Sequence, residues 1–500
     1  MAAGVDCAPQ HGADRGRLFL GHPRALLTPV SVEVWERFSF YGMRAILGLY
    51  LLTPVTEGGI GLPPATALSL TAIYSAGAYL TSVIGGWLAD RFLGARRTVL
   101  TGGIVIMCGH ILLAVPTTSL FYVGLAAVVL GTGLLKPNIA SLVGALYSVN
   151  DHRRDSGFSI FYMGINIGGF VAPLVCGWLG QEVNYHAGFL AAAIGMGIGV
   201  TYFLTTYRRL PDVGPRAQEH LGERAATGAG PRTRRRTATC AVIVTVIVVA
   251  TFALSGGGLS GVIDAASAAT FSIPVVVLYA MARSPRVTPT ETRRLVAYIP
   301  LFLASVAFWM MFEQGSTVLS ELAANHVTTA LFGHSFPSSW FLSINSLAII
   351  VLAPAMAWFW IRLGRRDPDA TTKMGTGVLV GGLSFLAVPL AFVLTAGDKI
   401  SPLWLVGIYI VQAVAELALS PVGISQTTRL APRAFANQTM GVWYLSMAAG
   451  SGLGAQLVGL STRFDTTSYY GLLAAIGVVV GVVVLTLRRP IAALTVQPLA

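Results

Sequence analysis

Several ionisable side chains of this sequence lie in the middle of long apolar runs, where the chemistry they could do is the binding of charge. The run 26–52 carries Glu33, Glu36, Arg37 and Arg44. At 3.6 residues per turn, Glu33, Arg37, Phe40, Tyr41 and Arg44 fall on one stripe of a helix. Glu33 stands i,i+4 from Arg37, and Glu36 precedes it directly. Two carboxylates beside one guanidinium leave a net negative charge that invites a proton. Burial and the neighbouring cation act on such a site in opposite senses, so moving the cation would switch it.

Further along, Lys136 immediately precedes Pro137, sixteen residues into the run 120–146. The proline removes an intrahelical bond and is expected to kink the helix, and a lone buried lysine calls for an anionic partner. Glu313, in FWMMFEQGS, and Glu416, five residues before Pro421, supply carboxylates from two later runs. A Lys, Arg or Asp at a bilayer centre costs about 2.5–3.5 kcal/mol on insertion scales, and such residues face water-filled cavities or one another. Arg44 and Lys136 in the first half, with Glu313 and Glu416 in the second, suit a zwitterion of limited length. That points to amino acids or short peptides rather than sugars; the alternative is a purely structural set of interhelix ion pairs. Tyr41, Tyr79, Asn166, Asn345 and Trp443 could complete a pocket, although each alone is as readily a packing or interhelical hydrogen-bonding residue.

The elements that must hold these groups follow from composition. Of the 500 residues, 54% are hydrophobic and 11% charged, whereas a soluble domain carries about 25% charged residues. Too few charges remain to cover a water-facing surface, and lipid must do so. A helix crossing the ~30 Å hydrocarbon core needs about 20 apolar residues. Fourteen runs qualify: 26–52, 65–89, 98–115, 120–146, 157–179, 188–206, 238–254, 262–281, 295–319, 340–361, 374–394, 402–426, 435–460 and 469–487. They are continuous rather than alternating, which favours helices over barrel strands. With both termini cytoplasmic, 28 of the 33 Lys and Arg fall in cytoplasmic segments. That is the positive-inside pattern; it accounts for the net charge of +12 without nucleic acid. The four cysteines have neither pairing nor metal-ligand spacing, and the first 25 residues show no cleavable signal. An excess of arginine over lysine, thirty to three, with abundant Ala and Gly, suggests a bacterium.

A basic, Pro- and Gly-containing stretch at 208–237 reads as a cytoplasmic linker between membrane halves. GTGLLKPN at 131–138, followed by IFYMGINIGG at 160–169, is echoed by AELALSPVG at 415–423 and VWYLSMAAGSG at 442–452. Pro137 and Pro421 stand 25 and 23 residues before Tyr162 and Tyr444. DRFLGARRT at 90–98 likewise echoes IRLGRRD at 361–367. These matches predict an all-α polytopic membrane protein of two parallel six-helix repeats, the major-facilitator arrangement, with its site near the midplane between halves. The expected division is a cytoplasmic tail 1–25, a six-helix bundle 26–207, the linker 208–237, an inserted helix pair 238–282, a second bundle 283–489 and a tail 490–500.

VEVWERFSFYGMR at 32–44 resembles the ExxERFxYYG signature of the proton-dependent oligopeptide transporters, with Phe40 in place of the first Tyr. GGWLADRFLGARR at 85–97 resembles the loop motif shared across major facilitators, and GTGLLKPNI, FYMGINIGG and ELALSPVG resemble further signatures of the same family. The inserted pair resembles that of bacterial members. The resemblance implies di- and tripeptide uptake driven by protons, through a multi-pass protein of the bacterial inner membrane, without a cofactor or metal and functional as a monomer. It places the peptide carboxylate on Arg44 and Lys136, the amino terminus on Glu416, and the backbone on Asn166 and Asn345. Tyr41, Tyr79 and Trp443 would line the pocket. Glu33, Glu36 and Arg37 would couple protonation to binding, with Glu313 pairing Lys136 or Arg44 in one conformation. Asp90, Arg91, Arg96 and Arg97 would steady the cytoplasmic face. Two departures stand out: the second run has no histidine, where some members carry one, and SINS at 343–346 replaces the commoner SLNP. A proton-coupled drug or metabolite antiporter on the same fold is the alternative; it needs no paired charges for two termini. An enzyme is not expected: GLSG at 258–261 falls in the turn of the inserted pair, and no HExxH or Walker loop occurs.

Overall fold

The computed structural model describes residues 18–19, 21–147, 153–211, 231–331, 334–395 and 399–495. The chain is almost wholly helical. We name the long helices α1 (Leu27–Leu52), α2 (Pro64–Leu88), α3 (Ala95–Leu113), α4 (Thr118–Ala145), α5 (Arg154–Trp178), α6 (Tyr185–Thr206), α7 (Pro231–Leu254), α8 (Gly258–Ala282), α9 (Pro289–Glu313), α10 (Phe341–Leu363), α11 (Ala370–Leu394), α12 (Pro402–Leu430), α13 (Ala436–Ser461) and α14 (Thr466–Thr486). A 3-10 turn at Gln314–Ser316 joins α9 to a short helix, Val318–His326.

Among the described residues, eleven helices are long and apolar enough to cross a membrane by length and composition. The other three have visible reasons for falling short. α1 carries its four ionisable residues; the apolar part of α7 is only Ala241–Leu254; α13 is diluted by Gly, Ser and Gln456. α7 begins at Pro231, inside the stretch expected as linker.

Helix ends are set by local chemistry. The Asn184 side chain accepts from Ala187 N at the start of α6, and Thr288 with Glu291 forms a reciprocal capping box at the start of α9. α2 runs on through a widened turn, Ala89–Leu93, and stops at Gly94, whose φ of 76° suits a residue without Cβ.

α1 packs against α5 and α6, α3 against α4 and α6, and α2 against α4. In the second set α9 packs against α11, α12, α13 and α14, with α10 on α12 and α11 on α14. One apolar cluster includes Met43, Ile106 and Phe189; another includes Phe308, Leu419 and Tyr469. Backbones touch at α11 and α14, where a Cβ on Gly477 would stand 2.4 Å from Gly382 Cα. The first six helices meet the last six through α2 on α13 and α5 on α10. α8, paired with α7, lies across the first of these seams, packing on both α13 and α2. Gln456 Nε2 ties it to α13 by donating to Asp264 Oδ1 at 2.9 Å and Ser267 Oγ at 3.1 Å.

Candidate functional site

α1 carries its charges inward. Glu33, Glu36, Arg37 and Arg44 are all buried. Arg37 makes a two-point contact with Glu36, Nε to Oε2 at 2.5 Å and Nη2 to Oε1 at 2.6 Å, which fixes the planar guanidinium against one carboxylate. Glu33 receives less: its Oε1 is 3.4 Å from Arg37 Nε, and its Oε2 is buried without a hydrogen bond. Of the two carboxylates, Glu33 is thus the under-satisfied one. The Arg37 guanidinium also lies over the Phe40 ring, 4.7 Å from its centroid.

Two turns further along α1, Arg44 reaches the second set of helices. Its Nη2 lies 2.8 Å from Glu313 Oε1, a charge contact off the hydrogen-bond line, while Nε donates to Ser316 Oγ at 2.7 Å. Glu313 also accepts from Ser316 (3.3 Å to Oε1), Ser75 of α2 (3.1 Å to Oε1) and Ser451 of α13 (2.9 Å to Oε2). Other bonds join the two sets at the same end, where α1 finishes. Ser69 Oγ donates to Ala455 O at 2.7 Å and Ser343 Oγ to Phe170 O at 2.8 Å. Gln181 Nε2 donates to Ser338 Oγ, and Ser339 N to Gln181 Oε1, both at 3.0 Å.

Lys136 does not meet the carboxylate that its isolation called for. Among the described residues it makes no ion pair; its Nζ stands 4.0 Å from the centroid of Tyr79 and 5.8 Å from that of Phe40. Aromatic faces carry partial negative charge and hold an ammonium in place of an anion. The expected choice for Glu313, Lys136 or Arg44, resolves to Arg44 in this conformation.

On α12 of the second set, Glu416 is 7% exposed and its Oε2 has no hydrogen-bond partner. Asn345 is beside it, with Nδ2 also without a partner. A buried acceptor and a buried donor, both unused, are what a polar guest would need. Asn166 is buried and donates to Tyr162 O of its own helix at 3.1 Å. Trp443 packs deep in the second set, its ring so close to α12 that a Cβ on Gly423 would meet it at 2.1 Å. A pocket of about 30 Å³ runs between the sets, lined by Tyr41, Arg44, Ser316, Asn345, Tyr409 and Gln412 among others. The space is narrow, so a larger guest enters only as the walls part.

In the loop motif, the side chains of Asp90 and Arg91 lie outside the described residues. Arg96 donates to Leu210 O at 3.2 Å and stacks on Tyr207, fastening the start of α3 to the end of α6. Arg97 is exposed. Ser75, Ser316, Ser451, Tyr409 and Gln412 entered the site without a signal in the sequence, since single hydroxyls and amides are common in membrane helices.

Among the described residues no three His, Cys, Asp or Glu side chains are grouped to hold a metal ion. What the arrangement offers is a buried cation in the first set, a buried carboxylate with a free oxygen in the second, and an ion pair across the seam. The sequence profile of the POT family matches residues 96–479. The chain belongs to the POT family. Its relatives include a di-/tripeptide transporter of Lactococcus lactis subsp. cremoris, 39% identical over 95% of this chain and 97% of that one. A transporter of Bacillus subtilis known as YclF is 43% identical over 97% of this chain and 96% of that one. Among solved structures, a peptide transporter POT in complex with sulfate matches with a TM-score of 0.85 and 41% identity, covering 96% of this chain and 97% of the other. As a POT-family transporter, the chain is a multi-span membrane protein of the major-facilitator fold.

Proposed function

We propose that this protein imports di- and tripeptides together with protons, by alternating access at the pocket between its two six-helix sets. The observation that carries the proposal is the pairing of Arg44 with Glu313 across the seam, 2.8 Å apart, while Glu416 keeps a buried, unpartnered oxygen on α12. A peptide presents a carboxylate at one end and an ammonium at the other. Its carboxylate competes with Glu313 for Arg44 and engages Lys136; its ammonium takes the free oxygen of Glu416. Asn345 and Asn166 reach its backbone, and Tyr41 and Tyr79 border it. Relatives named as di-/tripeptide transporters support this substrate class.

The proton enters through Glu33, the carboxylate that Arg37 leaves incompletely satisfied. Protonation there, or on Glu313, loosens the hold on the guanidiniums and frees them for the substrate carboxylate. The positive-inside distribution of Lys and Arg supports both termini lying in the cytoplasm of a bacterial cell, with the end where α1 finishes outside. The closed end is then the outer one, and cargo leaves inward. The chain works as a monomer in the lipid bilayer, driven by the proton gradient alone. Each charge moved down the membrane potential gains about 2.3 kcal/mol per 100 mV.

The test is reconstitution into liposomes, with labelled dialanine uptake measured under an imposed inward pH gradient. Accumulation that collapses when the gradient is dissipated is the expected result. Uptake indifferent to the gradient, or peptide-independent extrusion of a cationic drug on acidification, would overturn the proposal.

A further inference from the structure

Glu313 is bound by more donors than its ion pair requires, and two of them come from the helices that join the halves. Its Oε1 receives Arg44, Ser316 and Ser75; its Oε2 receives Ser451. A carboxylate offers about four lone-pair sites, and three of them take serine hydroxyls while Arg44 supplies the charge contact. Ser75 belongs to α2 and Ser451 to α13, and the packing of α2 on α13 is one of the two seams between the six-helix sets.

We propose that Ser75 and Ser451 are positioning residues for transport: they hold the Glu313 carboxylate where Arg44 meets it, and they do so together only while α2 and α13 touch. This rests on the reading of Arg44 and Glu313 as the contact that closes the outer end.

The choice of acceptor supports the assignment. A hydroxyl in a membrane helix commonly donates to the carbonyl one turn back. Thr71, Thr81 and Ser82 of α2 do so, bonding Ala67, Gly77 and Ala78. Ser75, on the same helix, sends its proton to Glu313 instead, and so does Ser451 on α13. Both are buried. Opening the seam carries Ser75 away from Glu313, and its hydroxyl then has its own helix's carbonyl as a fallback, while Ser451, on the same set as Glu313, remains to hold the carboxylate in place. Four residues on from Ser451, one turn along α13, the Ala455 carbonyl accepts from Ser69 of α2, so the same pair of helices is latched a second time nearby. Parting the helices therefore breaks the latch and withdraws Ser75 and Arg44 from the carboxylate in one movement, while Ser451 and Ser316 stay with it on their own set, which ties the ion pair to closure rather than to mere proximity.

The experiment is a mutant cycle on the full-length protein in liposomes, with gradient-driven dialanine uptake as the readout. Ser75→Ala and Ser451→Ala are each expected to lower kcat about tenfold, the scale of a lost hydrogen bond to a charged group, with KM within about twofold. Ser451→Thr keeps the donor and is expected to restore most of the loss. In a Glu313→Gln background the same serine substitutions are expected to change kcat by less than about twofold, because the charge they position is gone. A serine effect of equal size in both backgrounds assigns these side chains to packing and overturns the inference. So does a rise in KM at unchanged kcat, which assigns them to substrate binding. If Glu313→Gln is impaired and the serine variants match wild type, only the serine role falls. If Glu313→Gln transports as wild type does, the closing contact itself is misread and both ideas fall together.

Discussion

Removing Glu416 separates peptides by the charge at their amino terminus. Its carboxylate is 7% exposed, and Oε2 has no partner in the protein, so a bound ammonium would gain a charge-assisted hydrogen bond in a nearly dry site. Hydrogen bonds to a charged group contribute about 1.5–3 kcal/mol, the upper end where both partners are ionised. An N-acetyl peptide offers the same carboxylate only a neutral N–H, at the lower end of that range. Glu416→Ala should therefore cost dialanine about 1–1.5 kcal/mol more than it costs N-acetyl-dialanine, a shift of about tenfold in their relative affinities at 1.36 kcal/mol per decade. The assay is competition: each unlabelled peptide displaces labelled dialanine during exchange in liposomes with no gradient, so coupling does not enter. Glu416→Gln is the companion variant. It preserves the shape and one acceptor oxygen, and should impair dialanine while leaving the blocked peptide nearly as in wild type. Equal losses for the two peptides would refute the terminus assignment. Stronger loss for the blocked peptide would place the ammonium elsewhere.

Three further outcomes are expected. Glu33→Gln removes the carboxylate that Arg37 leaves under-satisfied, and should abolish gradient-driven accumulation while retaining peptide exchange; full accumulation would take Glu33 out of the coupling. Cysteines at Ser69 and Ala455, joined across α2 and α13 by a short bifunctional reagent at the site of their 2.7 Å contact, should stop uptake, and cleaving the bridge should restore it; undiminished uptake in a fully bridged protein would mean that this seam does not open. Arg44→Lys keeps the charge but loses the fixed fork by which Nε donates to Ser316 while Nη2 lies against Glu313; it should lower kcat about tenfold, in the range of one lost charged hydrogen bond, and wild-type turnover would show that charge alone suffices.

The architecture was readable because a bilayer imposes its own length and polarity on the chain. Runs of about 20 apolar residues between basic loops located the helices to within a few positions, and the Pro137 and Pro421 motifs indicated the repeat. Exact ends were less legible: α7 starts at Pro231, because arginines at a membrane boundary permit helix where composition alone suggests linker. The charged stripe of α1 was equally plain, since its period matches the helix. Which partner each charge finds was not. Lys136 called for an anion and stands over Tyr79, because sequence counts charges but does not place ring faces.

The serines mark a deeper limit. An ion in an apolar run costs several kcal/mol wherever it points, so its presence alone shows that something compensates it. A serine costs almost nothing there, because its own helix supplies an acceptor one turn back. Nothing in the chain therefore distinguishes Ser75, bound to Glu313, from Ser82, bound to Ala78 of its own helix. The difference exists only once α13 and α9 are brought against α2. Residues whose default state is self-satisfied acquire function through the neighbours that redirect them, and for that reason the groups best suited to report closure of the seam are those the sequence reports least.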